Sequence, residues 1–130
     1  MQAHRLIIRV RYSESDQMGY AHHAAYVIWL ESARIEMMRS LGESYRELEA
    51  SGVLMPVVEC QLRYRRPLRF DDEVELRTTA SPTGPSRLTF TTDLLLQDTP
   101  CAQGVVTVAA VNRAGKPVRL PARLGSTFAG

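Results

Sequence analysis

The 130-residue sequence predicts an α+β domain, an antiparallel sheet of about five strands wrapped around one long central helix. Two observations carry this. One early stretch, residues 22–41, has helical periodicity and is apolar over more than half its circumference. After residue 55 the chain alternates with a period of two, broken by turn signals short enough for hairpins.

In order, residues 5–12 place Leu6, Ile8 and Val10 on one face of a strand, with Arg9 and Arg11 opposite. Residues 13–19 form a polar loop ending in Gly19, which can take a positive φ. The helix follows. Tyr26, Trp29, Leu30, Ala33, Met37 and Leu41 fall on one stripe, and Val27, Ile28, Ile35 and Met38 occupy part of the rest. Only Ser32, Glu36 and Arg39 form a clear polar strip, so the helix should be enclosed by other structure. Glu31 and Arg34, at i and i+3, read as a buried structural pair. Gly42 stops the helix, and Ser44 with Glu47 gives a capping box for a short second helix to Ala50.

Residues 55–66 read as a strand with Val58, Cys60, Leu62 and Tyr64 inward, ended by Pro67. A turn at Phe70-Asp71-Asp72 leads to a strand over 73–80, and Ser81-Pro82-Thr83-Gly84-Pro85 turns the chain again. Leu88, Phe90, Thr92, Leu94 and Leu96 form the next inward row, residues 97–101 turn, and the nearly continuous apolar run 103–112 suits a central strand. The tail from Val118 is short and peripheral. No repeat or linker divides the chain, so residues 1–130 are expected to be one domain.

Composition narrows the function. With 45% hydrophobic and 23% charged residues the chain is ordinary globular protein, and a net charge of +2 gives no reason to expect a nucleic-acid partner. The opening MQAHRLIIRVRY does not read as a signal peptide, and no apolar run is long enough to span a membrane. Cys60 and Cys101 form no CxxC spacing and read as free thiols of a cytoplasmic protein. Adjacent His22 and His23 point about 100° apart on a helix, so no metal site is expected.

The junction of loop and helix carries the chemistry. Asp16 can be a simple Asx-turn residue, but a carboxylate beside the free N–H groups of a helix N-terminus also suits hydrolysis. Arg9-Val10-Arg11-Tyr12, Asp16, Gly19, His22-His23, Tyr26 and Glu31-Ser32-Ala33-Arg34 together resemble the opening of the hotdog-fold thioesterases of the 4-hydroxybenzoyl-CoA thioesterase type. The stretch from Arg63 to Asp72, RYRRPLRFDD, is similar to a second block of that family. The resemblance covers nearly the whole chain.

It implies an acyl-CoA thioesterase acting on a short- or medium-chain or aromatic acyl group, with no cofactor. Asp16 would be the catalytic carboxylate, as base or as nucleophile, and the backbone amide near His23 would polarise the thioester carbonyl. Gly19, Tyr20, His22 and Tyr26 would lie along the substrate. Arg65 and Arg66, or Arg63, Arg69 or Arg87, would hold the phosphates of CoA from a neighbouring subunit. The family forms dimers, usually paired into tetramers, with the acyl-CoA at the interface. Two departures, Gln17-Met18 in the loop and Ala25 in the helix, bear on the shape of the acyl pocket. The alternatives are a hotdog enoyl-CoA hydratase or dehydratase, using His23 and Glu31, and a non-catalytic acyl-CoA-binding module. The H-F-P-G-type segment of the dehydratases is absent.

Overall fold

The computed structural model describes residues 3–122 and 124. The ends of the expected domain, residues 1–2 and most of the tail after 122, lie outside the described residues, and the tail is not peripheral where it is described: Val118 N–H donates to Ala110 O and Leu124 is buried in the core. Strand β1 (His4–Arg9) leads through a 3₁₀ turn (Tyr12–Glu14) to helix α1 (His23–Ser40) and short helix α2 (Tyr45–Ala50). Four strands follow: β2 (Val57–Tyr64), β3 (Glu73–Gly84), β4 (Arg87–Leu96) and β5 (Thr99–Ala109). They form one antiparallel five-stranded sheet in the order β1-β3-β4-β5-β2. The expected α+β class is what the chain adopts.

Burial explains the arrangement. From α1, Tyr26, Trp29, Leu30, Ala33 and Met37 pack on the inward row of the sheet, where Leu76, Leu88, Phe90, Leu94 and Val108 are all buried. Close contact is possible because β5 carries a glycine under the helix. A Cβ built on Gly104 would stand 2.5 Å from Cδ1 of Leu30 and 2.6 Å from its Cδ2. Ser44 caps α2 as expected, accepting from the N–H of Glu47.

Several expectations need correction. β1 ends at Arg9, because Glu14 folds back on Arg11 and closes the 3₁₀ turn. β3 continues to Gly84: Pro82 is accommodated beside a bulge between Pro82 and Gly84, and the reversal is confined to Pro85-Ser86. β5 begins at Thr99, because the turn before it is only Gln97-Asp98, both at positive φ (48° and 66°). That is the backbone of a type I′ hairpin, achieved without glycine.

Two faces expected to be buried are open. In β2 only Leu62 is half-buried, and Val57, Val58, Cys60 and Tyr64 are exposed. On α1, Val27 and Ile28 are 50% and 53% exposed, and Leu41 has left the buried stripe. The Glu31–Arg34 pair is not wholly buried either. Arg34 is 11% exposed, but Glu31, 3.9 Å away, is 60% exposed.

Candidate active site

The loop before α1 is built around Asp16. Its Oδ1 accepts the backbone N–H groups of Met18 (2.8 Å) and Tyr20 (3.0 Å). Its own N–H donates to Tyr20 O (2.7 Å), and Gly19 N–H donates to Asp16 O (3.0 Å). Gly19, at φ 80°, makes this tight turn possible. Asp16 is thus an Asx-turn residue, but only through Oδ1. Oδ2 makes no hydrogen bond among the described residues.

The loop is pinned to the segment after β2. Ala21 N–H donates to Leu68 O (2.8 Å), and Phe70 N–H donates to Gly19 O (3.2 Å). Arg65 and Arg66 in turn donate their backbone N–H groups to Cys101 O of β5 (2.8 and 3.0 Å). Between loop, segment and helix N-terminus lies a cavity of about 290 Å³, open to solvent.

Of the residues the sequence points to, Asp16, Tyr20, His23, Tyr26, Arg65 and Arg66 line this cavity. Gly19 and His22 do not. Gly19 shapes the loop, and His22 is the N-cap of α1, its side chain making no capping bond and its N–H donating to Glu14 O (2.8 Å). Arg87 stands at the far end of the sheet, opposite Ala109, some 25 Å along the strands from the cavity at about 3.3 Å per residue. His23 and Glu31 are separated by about 12 Å of helix rise, so they do not form the pair that the hydratase alternative needs.

The helix N-terminus is chemically open. Its first turn carries no acidic residue, and the N–H groups of His23 and Ala24 find no acceptor among the described residues. Free donors at the positive end of an 18-residue helix are chemically able to stabilise negative charge.

One wall is aromatic. The Tyr64 ring stands edge-on to His23 (4.9 Å between centroids) and to Tyr26 (5.0 Å). Burial pushes the Tyr26 phenol above the ordinary tyrosine value, against an opposing hydrogen bond to the backbone of Leu68, so it stays protonated at neutral pH. Arg69 lies over the Tyr20 ring, 5.0 Å from its centroid. Cys101 is buried, which raises its thiol and suppresses thiolate chemistry. Among the described residues no group of three or more His, Cys, Asp or Glu is placed to hold a metal ion.

Sequence reasoning missed three contributors. Tyr64 and Leu68 complete the cavity wall, although both stand in the quoted RYRRPLRFDD block. Glu14 is only 8% exposed, and its Oε2 accepts the indole N–H of Trp29 at 2.9 Å. Burial raises the Glu14 pKa, but bonds from Arg11 and from Trp29 outweigh it and leave the carboxyl below the usual glutamate value. Nothing local in the sequence signals a bond from residue 14 to residue 29.

A five-stranded antiparallel sheet packed on one long helix is the hotdog fold. The chain belongs to the thioesterase-like superfamily, whose family profile matches residues 10–128. It is similar to the acyl-CoA thioester hydrolase YbgC of Escherichia coli O6:H1, 32% identical over 123 residues, which are 93% of this chain and 92% of that protein. YneP of Bacillus subtilis is 41% identical over 71 residues, 55% of this chain, and the match spans about half (51%) of YneP. The DHNA-CoA thioesterase from Staphylococcus aureus superposes with a TM-score of 0.93 over 99% of this chain and 90% of its own, at 23% identity, and shares the hotdog fold.

Proposed function

We propose that Asp16 and the first-turn amides of α1 form the active centre of an acyl-CoA thioesterase, which converts R–CO–S–CoA and water to the free acid and CoA. The observation that carries this is the division of labour in one cavity. Asp16 has one oxygen held and one free, and it shares the cavity with His23, whose uncapped N–H begins the helix together with that of Ala24.

With the thioester carbonyl oxygen on these donors, its carbon becomes electrophilic. In the general-base route, Oδ2 of Asp16 takes a proton from water as the water oxygen bonds to that carbon. The tetrahedral oxyanion is stabilised by the helix N-terminus, and its collapse breaks the C–S bond, the proton passing from Asp16 to the departing sulfur. In the nucleophilic route Oδ2 bonds to the carbon, the thiolate leaves, and water cleaves the resulting anhydride. Both need Asp16 and the helix amides on one thioester, with Oδ2 against the carbon in the nucleophilic route and a water between them in the general-base route.

The wall of His23, Tyr26 and Tyr64 suits an aromatic or short to medium acyl group. Arg65 and Arg66, at the cavity mouth with no ion-pair partner among the described residues, suit the phosphates of CoA. The free edge of β2, with exposed Val57 and Val58, and the apolar Val27 and Ile28 on α1 support a homodimer, or pair of dimers, joined along β2 with the cavity at the interface. We place the enzyme in the cytoplasm, as one hotdog domain over residues 1–130. Among the described residues no helix is long and apolar enough to cross a membrane.

The test is Asp16→Asn, assayed with acetyl-, hexanoyl-, palmitoyl- and benzoyl-CoA. The parent should hydrolyse at least one of them, and the variant should lose about a thousandfold or more in kcat while keeping fold and oligomeric state. Full activity in the variant refutes the assignment. Tight CoA binding by the parent with no turnover of any thioester would favour the binding-module alternative.

A further inference from the structure

Glu14 is a buried carboxylate outside the reaction cavity, two residues before Asp16. Its Oε1 accepts the Arg11 N–H at 2.8 Å, and its Oε2 accepts the Trp29 Nε1–H at 2.9 Å and the Arg11 guanidinium at 3.3 Å. Its backbone O accepts the N–H of His22, the N-cap of α1, at 2.8 Å. Closing the 3₁₀ turn needs only Arg11. The bond to Trp29 adds nothing to that turn, and a buried carboxylate is costly unless fully hydrogen-bonded. What the bond does is tie the strand end that feeds the Asp16 loop to the second turn of α1, while the bond to His22 ties it to the first. Trp29 also packs on Tyr26 (5.0 Å between ring centroids), which lines the cavity.

We propose that Glu14 is a positioning residue. Its clamp on Trp29 and His22 sets the distance and orientation between the Asp16 carboxylate and the first-turn amides of α1. The proposal rests on the reading of those two groups as the reacting pair. A carboxylate on a loop and donors on a helix have no direct bond holding them in register, and a misplacement of about 1 Å is enough to cost about 100-fold in rate. The depressed Glu14 pKa agrees with a carboxylate that stays ionised while clamped.

The experiment compares the full-length parent with Glu14→Gln and Trp29→Phe. Glu14→Gln keeps the size but turns one acceptor into a donor. Trp29→Phe removes the indole N–H and keeps a ring. Rates are measured on benzoyl-CoA and hexanoyl-CoA, and backbone hydrogen exchange is followed at Met18 and Tyr20, whose N–H groups bind Asp16. Both variants should be folded below their thermal midpoints, with kcat down about 30- to 100-fold and KM changed by less than about threefold. Exchange at Met18 and Tyr20 should be about tenfold faster. In an Asp16→Asn background, Glu14→Gln should leave the residual rate unchanged, because no carboxylate remains to be positioned against the amides.

A kcat within about twofold of the parent in both variants overturns the proposal. So does an equal loss with and without the Asp16 carboxylate, which is what a purely structural role predicts. If Asp16→Asn proves fully active, the functional reading fails separately, and exchange at Met18 and Tyr20 still decides the clamp: an unchanged rate overturns it.

Discussion

Replacing Gly104 by alanine tests whether the approach of α1 to the sheet is set by one missing side chain. The new Cβ would lie 2.5 and 2.6 Å from the two methyls of Leu30 and 3.1 Å from its Cγ, where carbon atoms settle at about 3.5–4.0 Å. Leu30 is 2% exposed, so any shift of its side chain must be made among other buried groups. Overpacking of this kind costs about 1–3 kcal/mol, and the stiffer unfolded chain returns about 0.4–1 kcal/mol, leaving a net loss near 1–2 kcal/mol. In a chain of this length that lowers the thermal midpoint by about 4–8 °C at fixed protein concentration. The helix also carries the His23 and Ala24 amides, so a shift of α1 should lower kcat as well. Adding Leu30→Ala opens the space that Gly104→Ala needs, so the double variant should be less destabilised than the sum of the singles, by about 1 kcal/mol or more. A neutral or stabilising Gly104→Ala, or strict additivity with Leu30→Ala, would refute the packing account.

Other expectations follow from the same geometry. Because the folded-state pKa of Glu14 lies below the unfolded value, its contribution to stability is complete above the ordinary glutamate range and disappears as pH falls through the folded pKa. Unfolding midpoints measured at falling pH should therefore drop more steeply in the parent than in Glu14→Gln. Removing Arg65 and Arg66 together should raise KM for benzoyl-CoA about tenfold or more, and raise it little for the matching S-benzoyl pantetheine, which lacks the 3′-phosphate and pyrophosphate. Equal KM changes on both substrates would remove these arginines from CoA binding. Ile28→Glu or Val58→Lys, each placing a charge on an exposed apolar face, should yield monomers by sedimentation with activity largely lost. An active monomer would show the cavity to be complete within one chain.

How much of this was legible in advance depends on the range of the interaction concerned. The periodicity of residues 22–41 and the alternation after residue 55 are local properties, and they determined the α+β class, the central helix and the number of strands. Asp16, Gly19 and the start of α1 lie within a few residues of one another, so their motif identified the loop and helix terminus that face the cavity. Turn positions were less legible. Gln97 and Asp98 take positive φ without glycine, and Pro82 sits beside a bulge in a strand instead of ending it.

The alternating apolar residues of β2 predict an inward face, but alternation reports only that a side should be covered. In this chain β2 is an edge strand, and of its apolar positions only Leu62 is half-buried. What tertiary structure alone decided are the pairings distant in sequence. Tyr64 meets His23 and Tyr26, Leu68 O accepts Ala21 N–H, Leu30 rests on Gly104, and the Glu14 carboxylate receives the Trp29 indole. Each depends on two segments that the sheet register brings together, and neither segment taken alone carries a sign of the other. The sequence by itself thus pointed to the groups proposed for the chemistry, and the packing of the helix on the sheet decided where they stand.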